Sequence, residues 1–224
     1  MYHYFPSCNF TRQFPEASRF LSEYTASHYG MIVEGCCRPS HKNLQEGDVA
    51  VTVCQNCSII IREQLGIRAD QPNPSIDEIS IFELLCEDDE FPWPDLHGEA
   101  ITLQDCFRAK DKPALHEAVR KCLRRMNAQI VELPENRENS LFCGSFLMDP
   151  ASPSNQKFAP HYYKEFFPGY AKELPPEEQT AVLKEHVSHY TTPRTVCYCN
   201  KCTAGVKKGG GNGIHLMELM LQLK

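Results

Sequence analysis

Short apolar runs alternate with amphipathic stretches along this chain, and their order predicts an α/β protein. Residues 1–7 read as a strand that ends at Pro6-Ser7-Cys8. Residues 14–29 read as a helix. Pro15 suits its first turn, Ala17, Phe20, Leu21 and Tyr24 fall at i, i+3, i+4 and i+7, and Gly30 supplies a left-handed stop. Met31-Ile32-Val33 predicts a short buried strand leading to Gly35-Cys36-Cys37-Arg38. Asp48 to Val53 is rich in β-branched residues, as in a strand buried on both faces of a parallel sheet, and it ends at Cys54. A helix over Cys57–Leu65, stopped by Gly66, a polar loop over 69–79 and a short helix over 80–86 complete the first half.

The second half repeats this order. Ala100 to Cys106 predicts a strand ending in a cysteine, and Lys112 to Met126 a helix with Leu115, Val119, Cys122 and Leu123 on one face. Gln129–Leu133 is the next strand, leading toward Phe142-Cys143-Gly144. An aromatic and proline-rich insertion runs from Ser145 to about Leu174. A helix follows from Pro175 to His189, with acidic residues in its first turn. Arg194 to Val196 is a strand into Cys197-Tyr198-Cys199-Asn200-Lys201-Cys202. Residues 207–213 are a glycine-rich turn, and Ile214–Leu223 the terminal helix. The two halves match in the order of their elements and cysteines, and in the apolar-Glu-Leu core shared by residues 80–85 and 214–220, so the chain reads as an internal repeat. The acidic, proline-bearing stretch 87–98 is the linker, which sets the domains at 1–92 and 93–224.

Charge narrows the function classes. The net charge of −6 and the lack of a basic stripe argue against nucleic acid as a partner. The N-terminus has no basic and apolar leader pattern, and no apolar run has the length of a membrane span, so a cytoplasmic protein that does not span a membrane is expected. Twelve cysteines in such a chain point to metal or redox chemistry rather than to a disulfide framework. Adjacent Cys36 and Cys37 do not easily bridge each other, whereas a polynuclear centre accepts such a pair. Cysteines at strand ends and at helix starts are well placed, because ligands gather at the carboxyl ends of parallel strands and a helix N-terminus favours a thiolate. Cys86 and Cys122 lie on apolar helix faces and read as core.

The arrangement of a cysteine, a spacer, a cysteine pair, a second spacer and Cys-x-x-Cys, present twice, resembles the cysteine-rich CCG-domain family. Its members include the CCG-bearing component of heterodisulfide reductase. The leader Tyr4-Phe5-Pro6-Ser7-Cys8 is similar to the family's first segment, and Ile101-Thr102-Leu103-Gln104-Asp105-Cys106 to its second. The resemblance implies two pseudo-repeated lobes, each a small, mostly parallel sheet with flanking helices and a metal site at the strand ends. In the N-terminal lobe it implies a 4Fe-4S cluster, non-cubane in heterodisulfide reductase, on Cys8, Cys36, Cys37, Cys54 and Cys57, with Cys36 and Cys37 as the cluster-bound pair where chemistry occurs. It further implies an oxidoreductase subunit that takes electrons from an iron–sulfur or flavin partner and passes them to a disulfide or related acceptor. The chain departs from the pattern at Arg38, where the family has glycine, and at Phe142-Cys143-Gly144, where the first of the paired cysteines is missing. Cys106, Cys143, Cys199 and Cys202 remain, a four-thiolate set that suits zinc or a second iron–sulfur cluster, with Cys197 open as a further ligand.

Alternative readings stand beside these. Zinc in one or both sites would make a metal-stabilised binding or anchoring module, and a cluster without a substrate site would make an electron-transfer subunit. Arg38 reads equally as an offset to the thiolate charge or as a solvated side chain. His41 and Lys42 read as surface, His186 and His189 as helix-surface histidines ahead of ligands, and His215 as a capping or supporting residue. The Lys-Lys-Gly-Gly-Gly-Asn-Gly segment lacks the spacing of a phosphate loop.

Overall fold

The computed structural model of the protein describes residues 1–67 and 75–223. The chain divides into two units, Met1–Leu84 with Ala151–Phe167 and Leu85–Pro150 with Pro168–Lys224. The division falls a little before the acidic linker. Part of the long insertion belongs to the first unit, an assignment that no sequence pattern announces.

In unit 1, β1 (Tyr2–Phe5) runs into α1 (Cys8–Gln13) and α2 (Pro15–Tyr29). Pro15 sits in the first turn of α2, Ala17 and Leu21 are buried, and Gly30 closes the helix at φ 64°. β2 (Ile32–Val33), α3 (Cys37–Ser40), β3 (Val49–Thr52), α4 (Gln55–Gln64), β4 (Asp77–Ser80) and α5 (Ile81–Leu85) follow. The sheet has the order β2-β1-β3-β4, and every pairing in it is parallel. The two central strands bury Tyr4, Phe5, Ala50 and Val51 completely, as strands covered on both faces must. β2 differs from expectation. Ile32 and Val33 are exposed because the strand pairs only with β1 and forms the sheet edge. β4 occupies the end of what reads as a polar loop. Its apolar content is one residue, Ile79, and it is a strand because β3 offers it a parallel ladder. Residues 69–74 of that loop lie outside the described residues.

Unit 2 repeats the plan. β5 (Ala100–Gln104), α6 (Pro113–Arg125) and β6 (Gln129–Glu132) come first. The chain then passes through unit 1 as α7 (Pro153–Phe158) and the helical turn His161–Phe166. It returns as α8 (Pro176–Ser188), β7 (Thr195–Cys197), α9 (Asn200–Lys208), β8 (Gly213–His215) and α10 (Leu216–Met220). The sheet order is β6-β5-β7-β8, again all parallel, so each strand of unit 2 has a counterpart in unit 1. The fold is therefore α/β with two pseudo-repeated lobes. β8 takes the first residues of the expected terminal helix, and His215 caps what remains. Its Nδ1 accepts the Met217 N–H, and Glu218 reaches back to the His215 N–H. Cys86 and Cys122 are buried in unit 2, as their helix faces required.

Candidate metal centre

Three chain segments deliver the unit 2 cysteines to the carboxyl end of its sheet. β5 leads through Asp105 into Cys106. The return after β6 brings Phe142-Cys143-Gly144. β7 leads through Tyr198 to Cys199, the N-cap of α9, with Cys202 in the first turn. The ligand atoms of Cys106, Cys143, Cys199 and Cys202 lie within 4.8 Å of one another. Cys106 Sγ is 3.6 Å from Cys143 Sγ, and Cys143 Sγ is 3.9 Å from Cys199 Sγ. All four side chains are buried. Burial first, then the neighbouring sulfurs, pushes the Cys106 and Cys202 thiols well above the ordinary range. Hydrogen bonds from Cys106, Cys143 and Cys202, joined by the Arg108 charge, bring Cys199 well below it. Four buried soft donors of this kind can hold a metal ion or an iron–sulfur cluster.

The surroundings fix these sulfurs in place. Tyr198 donates to Asp105 Oδ1 at 3.0 Å and accepts the Cys106 N–H at 3.1 Å, so the Cys106 backbone is held through a phenol. Arg120 Nη2 donates to Asp105 at 2.6 Å and to Glu132 at 2.7 Å. Burial acts to raise the Asp105 carboxyl, but the hydrogen bond and charge of Arg120 bring it below the usual carboxylate range. Gly144, at φ 57°, lies so close to α9 that a Cβ there would stand 2.1 Å from the Lys201 carbonyl oxygen. A Cβ on Gly205 would stand 2.3 Å from the Gly144 Cα. The glycine that follows Cys143 is thus the condition for the Cys143 turn to approach the Cys199–Cys202 helix. Phe142 stacks on His186 with ring centroids 4.2 Å apart, and His186 Nε2 pairs with Gln104 Oε1 at 2.7 Å. His189 is exposed beside Glu185.

In unit 1 the equivalent segments bring together a related group. The Cys57 thiol has hydrogen-bond contacts to Cys37, Cys54 and the Ser7 hydroxyl. Its pKa is raised, by the Cys37 bond most and by burial, against the opposing pull of Cys54 and Ser7. Cys37, Cys54 and Cys57 are buried. Cys36 is half-buried, and Cys8 is exposed as the first residue of α1. Ser7 holds an uncommon left-handed backbone, φ 64° and ψ 118°. The Tyr4 phenol is fully buried and its pKa is raised, by burial and then by Cys57.

Arg38 is no solvated cation. It donates to Asn155 Oδ1 at 2.8 Å, and Asn155 Oδ1 also accepts from Asn56 Nδ2 at 3.3 Å. Tyr163 donates its hydroxyl proton to Asn56 Oδ1. The inserted segment is therefore bolted to both cysteine turns of unit 1. His41 is likewise buried, with its ring Nδ1 3.1 Å from the Cys37 carbonyl oxygen.

Sequence reasoning missed Ser7, Asp105, Arg108 and Arg120. Each lies within two residues of a cysteine or on the helix that faces one, but polar residues there are common, and only packing distinguishes them. No helix among the described residues is long and apolar enough to cross a membrane. No protein-family model, no curated protein and no solved structure matches the chain.

Proposed function

We propose that the chain is a metal–thiolate redox subunit in which the two units divide the work. Unit 2 holds one tetrahedral ion, zinc by preference, as a structural centre. Unit 1 holds the reactive iron–sulfur centre. The observation that carries this is the close packing of the unit 2 sulfurs. A tetrahedral ion with bonds of about 2.3 Å spaces its sulfur ligands at about 3.8 Å. Two of the sulfur pairs, at 3.6 and 3.9 Å, bracket that value, and all four sulfurs lie within 4.8 Å of one another. An iron–sulfur cluster distributes its thiolates over several irons and holds them farther apart. Four protein ligands also close the coordination sphere, which suits a structural rather than a catalytic ion.

Unit 1 is the opposite case. Its buried thiols Cys37, Cys54 and Cys57 lie on segments that also carry the half-buried Cys36 and the exposed Cys8, which suits a centre that meets a reactant. In the reading by resemblance, these five cysteines hold a 4Fe-4S cluster that supplies single electrons to a disulfide or related acceptor. The chain's own part is to tie together the turns that carry Cys37 and Cys57 through Arg38, Asn155 and Asn56, with the Tyr4 phenol buried where it feels Cys57.

Metal and sulfide analysis of anaerobically purified protein tests the proposal. The expected result is one zinc per chain, together with iron, acid-labile sulfide and broad absorbance near 400 nm. Zinc in both units with no colour would instead establish a metal-stabilised binding module, a reading favoured by the Ser7 hydroxyl among the unit 1 thiols.

A further inference from the structure

Arg108 lies two residues beyond Cys106 and is buried in unit 2, 6% exposed. Its Nε donates to Cys143 Sγ at 3.3 Å and its Nη2 to Cys199 Sγ at 3.2 Å. The guanidinium carbon stands 4.5 Å from the centroid of the Phe146 ring. The cation is thus clamped between an aromatic face and two sulfurs of the candidate centre. A guanidinium does not shed its proton, and its planar fork matches two acceptors at once. A divalent ion on four thiolates carries a net charge of about −2 in a buried site, where uncompensated charge is costly.

We propose that Arg108 is the built-in counter-charge and shield of this centre, a positioning residue that makes Cys143 and Cys199 poor nucleophiles and keeps the bound ion from exchanging. The proposal rests on the reading of unit 2 as a metal centre. Its chemistry follows from the N–H···S bonds, which draw electron density from the sulfur. The sulfur is the atom that attacks an electrophile. With N-ethylmaleimide the sulfur adds to the ring double bond, the neighbouring carbon takes a proton from water, and the ion loses a ligand. Arg108 opposes the first of these events at two of the four sulfurs.

The test uses the full chain as purified, with its zinc content measured first. Zinc release under N-ethylmaleimide is followed with a chromogenic chelator, and the modified cysteines are mapped by mass spectrometry. For Arg108→Met, release and modification at Cys143 and Cys199 should both be faster by on the order of tenfold, the scale of one charge-assisted hydrogen bond. Arg108→Lys should fall between, because it restores the charge but not the fork. Equal rates in wild type and Arg108→Met overturn the shielding role. Slower modification in the variant is the signature of an arginine that activates metal-free thiols, and it overturns this inference. A wild type without zinc overturns the metal reading and this inference with it, whereas a zinc-bearing wild type with equal rates overturns the inference alone. Should Arg108→Met fail to fold, Arg108→Lys decides by the same comparison, and a rate equal to or below that of wild type counts against shielding.

Discussion

Ser7 occupies in unit 1 the register position that Cys106 occupies in unit 2. Phe5 pairs with Thr52, two residues before Cys54, and Gln104 pairs with Cys197, two residues before Cys199. Counting two residues onward from Phe5 and from Gln104 reaches Ser7 and Cys106. The Ser7 hydroxyl makes its contact with Cys57 from that position, while Cys8 starts a helix. Ser7→Cys should therefore give unit 1 a fourth inward thiol. Cobalt titration of the metal-free variant should show unit 1 tightening by on the order of tenfold over wild type, with stronger thiolate-to-cobalt absorbance, because a soft thiolate replaces a hydroxyl. An unchanged titration would refute the equivalence.

Cys197 is a strand residue and Cys199 a helix cap, so the two should behave differently although they are neighbours. Cys199→Ser removes one of the four converging sulfurs. Zinc content should drop, and Tm should fall by on the order of 10 °C, since structural metal binding is folding free energy. Cys197→Ser should keep the zinc. Equal zinc loss in both variants would make Cys197 a ligand.

Gly144 and Gly205 face each other where the Cys143 turn meets α9. Either alanine variant places a Cβ against backbone, which cannot rotate away as a side chain can. Each should cost about 3 kcal/mol, with Gly144→Ala the worse because its φ of 57° is also strained. Urea unfolding checks the size, and chelator competition should show weaker zinc retention. A Gly205→Ala protein of wild-type stability would mean that the contact is loose.

His215 is fully buried, and burial lowers its pKa from 6.5 to about 4. The unfolded chain therefore binds a proton between those values that the folded chain does not. Stability contributed by neutral His215 is present above about 6.5 and is lost as pH falls toward 4, at about 1.4 kcal/mol per pH unit for one proton. His215→Asn retains an N-cap acceptor without a titrating group. Its stability should depend less steeply on pH across that window. The slope will not vanish, because His186 is lowered to about 4, chiefly by burial, and acts with the same sign. Chemical denaturation at several pH values measures this, and an unchanged slope would remove His215 from the account.

Much of the architecture was legible in the residues. The β-branched run 48–53, the amphipathic pattern of 112–126 and the stop at Gly30 each reflect local geometry, and the matching order of cysteines and elements exposed the repeat. β4 and β8 were not legible. Both are short edge strands whose sequences lack a strand pattern, and both exist because a buried neighbour presents unpaired backbone groups. The placement of Ala151–Phe167 in unit 1 was equally hidden, since it depends on the Asn155, Asn56 and Arg38 contacts across distant parts of the chain.

The candidate site divides in the same way. Residue identity and periodicity alone established which sulfurs are available and that they fall at strand ends. Which of them converge was left to the folded packing. It brought Cys106, Cys143, Cys199 and Cys202 within 4.8 Å, turned Cys8 outward and set Ser7 beside Cys57. It also placed Arg108 on two sulfurs. The physical reason is that a side chain's partner is chosen by strand register and helix approach, and a shift of one residue between Ser7 and Cys8 reverses which of them faces inward.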